Sequence, residues 1–278
     1  MNSLKPLLTT YAYNIIGSLE DAKDIVQDAF LKFEFINKEK VKDQKSYLIR
    51  TVINLSINFK KKFKKHRVEY PGEWLPEPVD MVYADSALEK KEILSYSLMV
   101  LLEKLNAKQR AVFILKEAFD YEHEKIADVL NINVDNSRQI LNRAKKQLQQ
   151  DVSNSNKKVG MDQLTKFLDI IQNGDTERLE GMLYEDVTLV SDGGGKAVAF
   201  INPIIGRKSV LALLVGVNKK FYADFRVEKA WVNHQPALLY YDNDALVTCQ
   251  VMIFKNDQLE NIFTMRNPDK LKTLEKKS

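Results

Sequence analysis

Cysteine is nearly absent from this 278-residue chain. Cys249 stands alone, which excludes an internal disulfide and any thiolate zinc cluster, and the thiol reads as a small buried hydrophobe; no metal or cofactor is expected in any part of the chain. Long apolar runs are missing as well: none approaches the roughly 20 residues that cross a bilayer, and the opening MNSLKPLLTTYAYNII lacks the layout of a signal peptide. A protein working in the cytoplasm without a membrane partner is the expectation. Positive charge is absent from 68–87, where five acids (Glu69, Glu73, Glu77, Asp80, Asp85) stand without a lysine or arginine. Three of the seven prolines crowd into the same stretch with Gly72, so it cannot propagate a helix and reads as a linker.

What is present divides the chain. The net charge of +4 lies wholly in residues 1–150, with 25 Lys/Arg against 21 Asp/Glu, while 151–278 balance at 17 and 17. Length alone implies several compact units. The spacing predicts a helical domain over 1–67, the acidic Pro-rich linker 68–87, a second helical domain over 88–150, a polar linker 151–160 and an α+β domain over 161–278. In the first domain, Ala22, Ile25, Val26, Ala29, Phe30 and Phe33 form one helix face, with Asp21, Asp24 and Asp28 opposite and Ser18 as N-cap. A helix over about 46–65 buries Leu48, Val52, Leu55 and Phe59. In the second domain, helices are expected at about 88–104, 107–117, 122–130 and 134–150. The last domain reads as helices at about 161–173, 175–184 and 209–221 against a curved, mostly antiparallel sheet, with strand-like VTLV, the loop SDGGGK, and tight turns at 242–244 and 256–257.

Two faces suit nucleic acid. On the 46–65 helix, Asn54 and Asn58 lie one turn apart, followed by Phe59, Lys60, Lys61, Lys62, Lys64 and Lys65. Amides can bond the edges of unpaired bases, a ring can stack on one, and ammonium groups hold phosphates. The plain alternative is a core Phe59 and a solvated cationic helix end. The pair 122–130 and 134–150 forms a helix-turn-helix candidate. Ser137, Leu141, Ala144 and Leu148 face inward, leaving Asn136, Arg138, Gln139, Asn142, Arg143, Lys145 and Lys146 outward for bases and phosphates. A solvated helical hairpin is the alternative there.

The order of these parts resembles an extracytoplasmic-function sigma factor of the sigma-70 family. YNIIGSLEDAKDIVQDAFLKF is similar to the family's region 2 entry, SYLIRTVINLSINFKKKFKKHR to its −10-reading segment, and LNAKQRAVFILKEAFDYEHEKIADVLNINVDNSRQILNRAKKQL to region 4. YPGEWLPEPV, SDGGGK and NPDKL resemble signatures of the subgroup with a fused SnoaL-like domain. The resemblance implies two all-α domains followed by a cone-shaped α+β domain. It implies core polymerase as partner, with Asp21, Asp24, Gln27 and Asp28 meeting the β′ clamp helices and region 4 meeting the β flap. Promoter DNA is the second partner, with Asn54 and Asn58 at the −10 base-reading positions and the 134–150 helix at −35. It further implies an autoregulatory third domain that stands in for a separate anti-sigma factor. The chain departs from the pattern in its preference for lysine over arginine and in NVDNS at 133–137.

In the third domain, a contact role is expected for Asp192, Gly193, Gly194, Gly195 and Lys196, with Lys196 pairing with a linker acid, and for Asn267, Pro268, Asp269, Lys270 and Leu271 docking on regions 2 and 4. Trp74 and Leu75 are expected to pin the linker to a domain surface. Asp192, Asp224 and His234 are the residues available for acid–base catalysis, but the sequence does not bring two of them together, and no catalysis is expected. A small ligand for this domain is unspecified. Two other functions stay open: a helix-turn-helix regulator with a ligand-sensing domain, and a SnoaL-like isomerase or hydrolase fused to DNA-binding modules.

Overall fold

The computed structural model describes residues 2–36, 41–66, 69–82, 88–148 and 161–275, with the backbone alone at 2 and 64–66. The contacts divide the chain into two compact units: Met1–Glu69 with Ala84–Val152, and Tyr70–Tyr83 with Ser153–Ser278.

The first unit opens with α1 (Lys5–Ile16), α2 (Leu19–Glu34) and α3 (Gln44–His66). Gly17 ends α1 in the left-handed region at φ 83°, where a side chain would be strained, and returns its N–H to the Tyr13 carbonyl. Ser18 then caps α2 by accepting from the Asp21 N–H at 3.3 Å. α2 buries Ala22, Ile25, Val26, Ala29 and Phe33, the face its spacing predicts, with Phe30 half-buried. The buried stripe of α3 is rotated from the predicted one. Leu48, Ile49, Val52, Ile53, Ser56, Ile57 and Lys60 are buried, while Leu55 and Phe59 are only half-buried. Isoleucines at 49, 53 and 57 fill an i, i+4 row, and Lys60 extends the stripe because its ammonium finds partners inside.

The expected helix over 88–104 is interrupted. A short 3-10 turn (Lys90–Glu92) precedes α4 (Tyr96–Leu101), and a second 3-10 turn covers Leu102–Lys104. The cause lies in α1. The Asn14 amide donates to the Glu92 carbonyl at 2.7 Å and accepts from the Leu94 N–H at 3.2 Å, taking both backbone groups away from a continuing helix. Ser95 restarts the chain as the N-cap of α4. α5 (Ala107–Phe113), capped by a reciprocal Asn106–Gln109 box, runs into a π-turn (Ile114–Ala118), then come α6 (His123–Leu130) and α7 (Val134–Leu148).

The two helical modules share one interior. Arg110, fully buried, donates from Nε and Nη2 to the Asn14 carbonyl at 3.0 and 2.9 Å and from Nη1 to Glu103. Lys60 donates to the same Glu103 oxygen at 2.7 Å and to the Ile16 carbonyl at 2.9 Å. One carboxylate thus holds two buried cations, while carbonyls at the end of α1 accept further hydrogen bonds from both. Tyr11 of α1 stacks on Phe119 at a centroid distance of 4.2 Å.

The second unit is α+β. α8 (Met161–Gln172), α9 (Thr176–Met182) and α10 (Arg207–Val217, followed by a π-turn to Tyr222) pack on a six-stranded sheet. The strands are β1 (Leu183–Asp192), β2 (Ile204–Ile205), β3 (Arg226–Val232), β4 (Gln235–Asp242), β5 (Ala245–Lys255) and β6 (Gln258–Met265), in the order β2-β1-β6-β5-β4-β3. β1 and β6 run parallel; every other pair is antiparallel. β1 is longer than VTLV because Leu183 already pairs with Leu259, which ends α9 after seven residues. Leu164, Phe167, Leu179 and Leu214 of the helices meet Leu189, Leu238, Met252 and Ile262 of the sheet in the core. Asn233–His234 and Asn256–Asp257 take positive φ at both hairpin positions, the backbone that primed turns require. Cys249 is buried in β5, and desolvation pushes its thiol up.

Glu103→Gln is expected to leave two buried cations short of a counter-charge and to destabilise the first unit by about 3–5 kcal/mol. Surface Glu122, 3.5 Å from Lys116, supplies the control. Its Gln variant is expected to stay within about 0.5 kcal/mol of the parent in urea unfolding.

Candidate functional site: nucleic-acid faces and a linker clasp

α6 and α7 meet through a turn whose geometry is locally encoded. Asn131 closes α6 at φ 50°, in the left-handed conformation that asparagine tolerates, and the Asn133 side chain accepts from the Asn136 N–H at 2.7 Å to start α7. His123 Nδ1 and the Ser137 hydroxyl lie 2.9 Å apart and tie the two helices together. Ser137, Ile140, Leu141, Ala144 and Leu148 face inward. Arg138, Gln139, Asn142, Arg143 and Lys146 are exposed, and Asn136 and Lys145 are half-buried. Two of these cations already have partners. Lys145 pairs with Glu117 at 2.8 Å, and Arg138 pairs with Asp135 at 3.2 Å.

On α3, Asn58, Lys61 and Lys62 are exposed, Phe59 is half-buried and its ring is parallel to that of Phe63 at 6.4 Å. The side chains of Lys64 and Lys65 lie outside the described residues, as does Asp85 of the linker. Two residues differ from expectation. Lys60 is no surface cation, because Glu103 and the Ile16 carbonyl hold it inside the unit. Asn54 is half-buried, and its amide donates to the Arg50 carbonyl at 2.8 Å and to the Val129 carbonyl of α6 at 2.9 Å. One amide of the expected base-reading pair is therefore taken up by α6, while Asn58 stays exposed. On α2, Asp24, Gln27 and Asp28 are exposed and Asp21 is half-buried.

In the second unit, Asp192 is the centre of a clasp on the linker segment Tyr70–Tyr83. It is fully buried at the end of β1. One oxygen accepts from the Tyr70 hydroxyl at 2.5 Å and the Gly194 N–H at 3.0 Å; the other accepts from the Leu75 N–H at 2.8 Å and from Lys270 at 2.7 Å. Lys270, itself buried, also donates to the Leu75 carbonyl at 2.6 Å and lies 4.1 Å from the centre of the Trp74 ring. Trp74 and Leu75 are buried, as their apolar character predicts. Asn267 caps α11 (Pro268–Leu271) and donates to the Tyr70 hydroxyl at 3.2 Å. Leu271 is buried, while Pro268 and Asp269 are exposed.

The glycines explain how the chains approach so closely. A Cβ on Gly194 would stand 2.2 Å from Asn267 Nδ2, one on Gly195 would stand 3.0 Å from Pro71, and both residues have positive φ. A Cβ on Gly193 would meet the Ala197 carbonyl at 2.1 Å. Lys196 pairs with Asp269, not with a linker acid, because Gly193 turns the chain back toward α11. Lys196 and Lys272 hold the Asp269 carboxyl below its usual range. Further along, Val79 and Asn233 exchange hydrogen bonds of 2.8 and 2.9 Å, Met81 donates to Trp231 and Thr273 donates to Pro78. The linker thus pairs with the free edge of β3 at its C-terminal end. Glu77 and Asp80 are buried in the process, so these acids do not form one solvated stripe.

Asp224, His234 and Asp192 do not converge. Asp192 serves the clasp, His234 sits exposed in the β3–β4 turn at φ 61°, and Asp224 is exposed beside Arg226. Among the described residues no cluster of His, Cys, Asp or Glu could hold a metal ion, and no helix is long and apolar enough to cross a membrane. Sequence reasoning missed Asn14, Glu103, Arg110 and Tyr70. A lone amide inside YAYNII was the available signal for the first.

The chain matches the family models for Sigma-70 region 2 over residues 1–66 and Sigma-70, region 4 over 95–148. It is similar to the "ECF RNA polymerase sigma factor SigJ" of Mycobacterium tuberculosis, 27% identical over 226 residues that cover 79% of this chain and 72% of that one. The crystal structure of Mycobacterium tuberculosis SigJ has the same fold, with a TM-score of 0.80 at 24% identity over 99% of this chain and 98% of that chain. A weaker neighbour is the sigma factor RpoE from Bartonella quintana, solved in complex with the anti-sigma factor NepR: 19% identity, 54% of this chain, 91% of that chain and a TM-score of 0.39. With a region 2 module, a region 4 module and an α+β unit in that order, the chain belongs to the extracytoplasmic-function sigma factors of RNA polymerase.

Proposed function

We propose that α3 reads the −10 element through Asn54 and Asn58, that α7 reads the −35 element through Arg138 and Gln139, and that the C-terminal unit regulates both by its hold on the linker. Sigma factors are not enzymes, and they work on promoter DNA with the polymerase core. In this reading Asp21, Asp24, Gln27 and Asp28 meet the β′ clamp helices, region 4 meets the β flap, and the protein acts in the cytoplasm beside the polymerase.

The observation that carries the reading is the occupation of Asn54 by the Val129 carbonyl. An amide that must bond an unpaired base cannot also donate to α6, so promoter opening requires the two helical modules to part. The segment joining them is the one that Asp192 and Lys270 grip. Regulation then consists of biasing an equilibrium between closed and promoter-competent arrangements. Catalysis in the C-terminal unit forms no part of the proposal, since its candidate acid–base residues lie apart.

Run-off transcription with core polymerase tests the assignment, because initiation on core separates a sigma factor from a repressor or a tethered enzyme. A chain ending at residue 158 is expected to give a different transcript yield from the full chain, and equal promoter binding and yield would overturn the regulatory part. Arg138→Ala or Gln139→Ala is expected to weaken promoter binding by about 1–3 kcal/mol and to relax preference at one −35 position. Lys146→Ala is expected to weaken binding to all sequences alike and to reduce the log–log salt slope by about 0.9. Lys270→Met leaves Asp192 buried without its cation. It is expected to expose the linker to limited proteolysis and to move the full-length chain toward the yield of the truncated one.

A further inference from the structure

The C-terminal unit contains a cavity of about 270 Å³ between α10 and the sheet, close to the lower end of the roughly 300–1,000 Å³ typical of small-ligand sites. Its walls are apolar, with Ile171, Leu189, Leu213 and Phe225 among them, and its lining holds no Asp, Glu, Lys or His. The one charged group is Arg266, immediately after β6.

Arg266 is held in an unusual state. Its Nη1 donates to the Val198 carbonyl at 2.7 Å, but its Nε is buried without a hydrogen-bond partner. Among the described residues no carboxylate pairs with this guanidinium. A guanidinium that lines an apolar cavity without a carboxylate beside it lacks the anionic partner such a cation ordinarily has. A second donor points to the same region. Burial keeps the Tyr240 phenol protonated; it donates to Gln250 Oε1 at 2.9 Å, and Gln250 Nε2 donates to the Thr264 hydroxyl at 3.4 Å. With its oxygen so used, the Thr264 hydroxyl is left to donate. Thr264 lies near the end of β6, Arg266 follows that strand directly, and both line the cavity.

The mouth is apolar and open to solvent. Val198 is 84% and Phe221 55% exposed, and Phe200 completes the rim. An apolar rim, an apolar barrel and two donors, one cationic, at a single wall describe the complement of a molecule with a hydrocarbon body and one anionic head.

We propose that this cavity is a binding site for a small amphipathic monocarboxylate, whose carboxylate accepts from the Arg266 guanidinium and the Thr264 hydroxyl while its hydrocarbon tail lies along α10. No carboxylate or imidazole lines the cavity, and the proposal is of binding alone. The inference stands on the cavity alone and does not depend on how promoter DNA is read.

Calorimetric titration of the full-length chain with sodium octanoate, butyrate and 1-octanol tests it. Octanoate is expected to bind saturably at one site, with butyrate and 1-octanol each at least about tenfold weaker, since the first loses apolar burial and the second loses the charge-assisted bond. Arg266→Lys keeps a cation but removes the planar guanidinium fork and is expected to weaken octanoate at least about tenfold while leaving 1-octanol unchanged. Leu213→Trp fills the cavity and is expected to abolish binding of both with Arg266 intact. Thermal unfolding of each variant without ligand confirms that the unit is folded. Equal affinities for octanoate and 1-octanol, octanoate binding that survives Leu213→Trp, or no saturable binding to the parent chain would each overturn the proposal.

Discussion

A carboxylate taken out of water needs every partner that water would have supplied, and each unit of this protein is arranged around one such group. In the helical unit it is Glu103, shared by Lys60 and Arg110. In the α+β unit it is Asp192, held by Lys270, a phenol and two backbone N–H groups. Desolvating these ions costs more than most single contacts return, so neither cluster is a simple source of stability. What they impose is exclusivity. A different packing of α1, α3 and α5, or of the linker against α11, strands a buried charge, and that penalty narrows the alternatives.

The clusters also explain where functional side chains are found. Lys60 and Asn54 stand on a helix whose outer face suits nucleic acid, yet both are turned to the interior of the unit. Exposed Asn58, Lys61 and Lys62 keep the character the sequence suggests. The same division appears in the clasp, where Lys270 is buried and structural while neighbouring Asp269 remains at the surface with Lys196 and Lys272.

Much of the architecture was legible in the sequence because it depends on local periodicity. The buried faces of α2 and α7, the Ser18 cap and the Asn-containing turns follow from residue spacing and backbone preference alone. The rotation of α3 was not legible, since a lysine on an apolar stripe reads as polar until Glu103, 43 positions away, is known to meet it. The broken helix at 93–95 was hidden for the same reason: its cause is Asn14. DGGGK and NPDKL drew attention through resemblance, but partner identity did not follow, because pairing Lys196 with Asp269 depends on the Gly193 turn. The cavity at Arg266 has no sequence signature; it arises from residues spread over strands, helix and loop.

The Asn14 contacts have a consequence for synthesis on the ribosome. Both partners of its amide, Glu92 and Leu94, lie about 80 residues further along the chain. At roughly 5–20 residues per second, α1 exists for about 4–16 s before those partners are made. During that interval a polar side chain that is fully buried in the finished unit can only be served by solvent. The N-terminal module therefore completes its interior last, when region 4 arrives to close it.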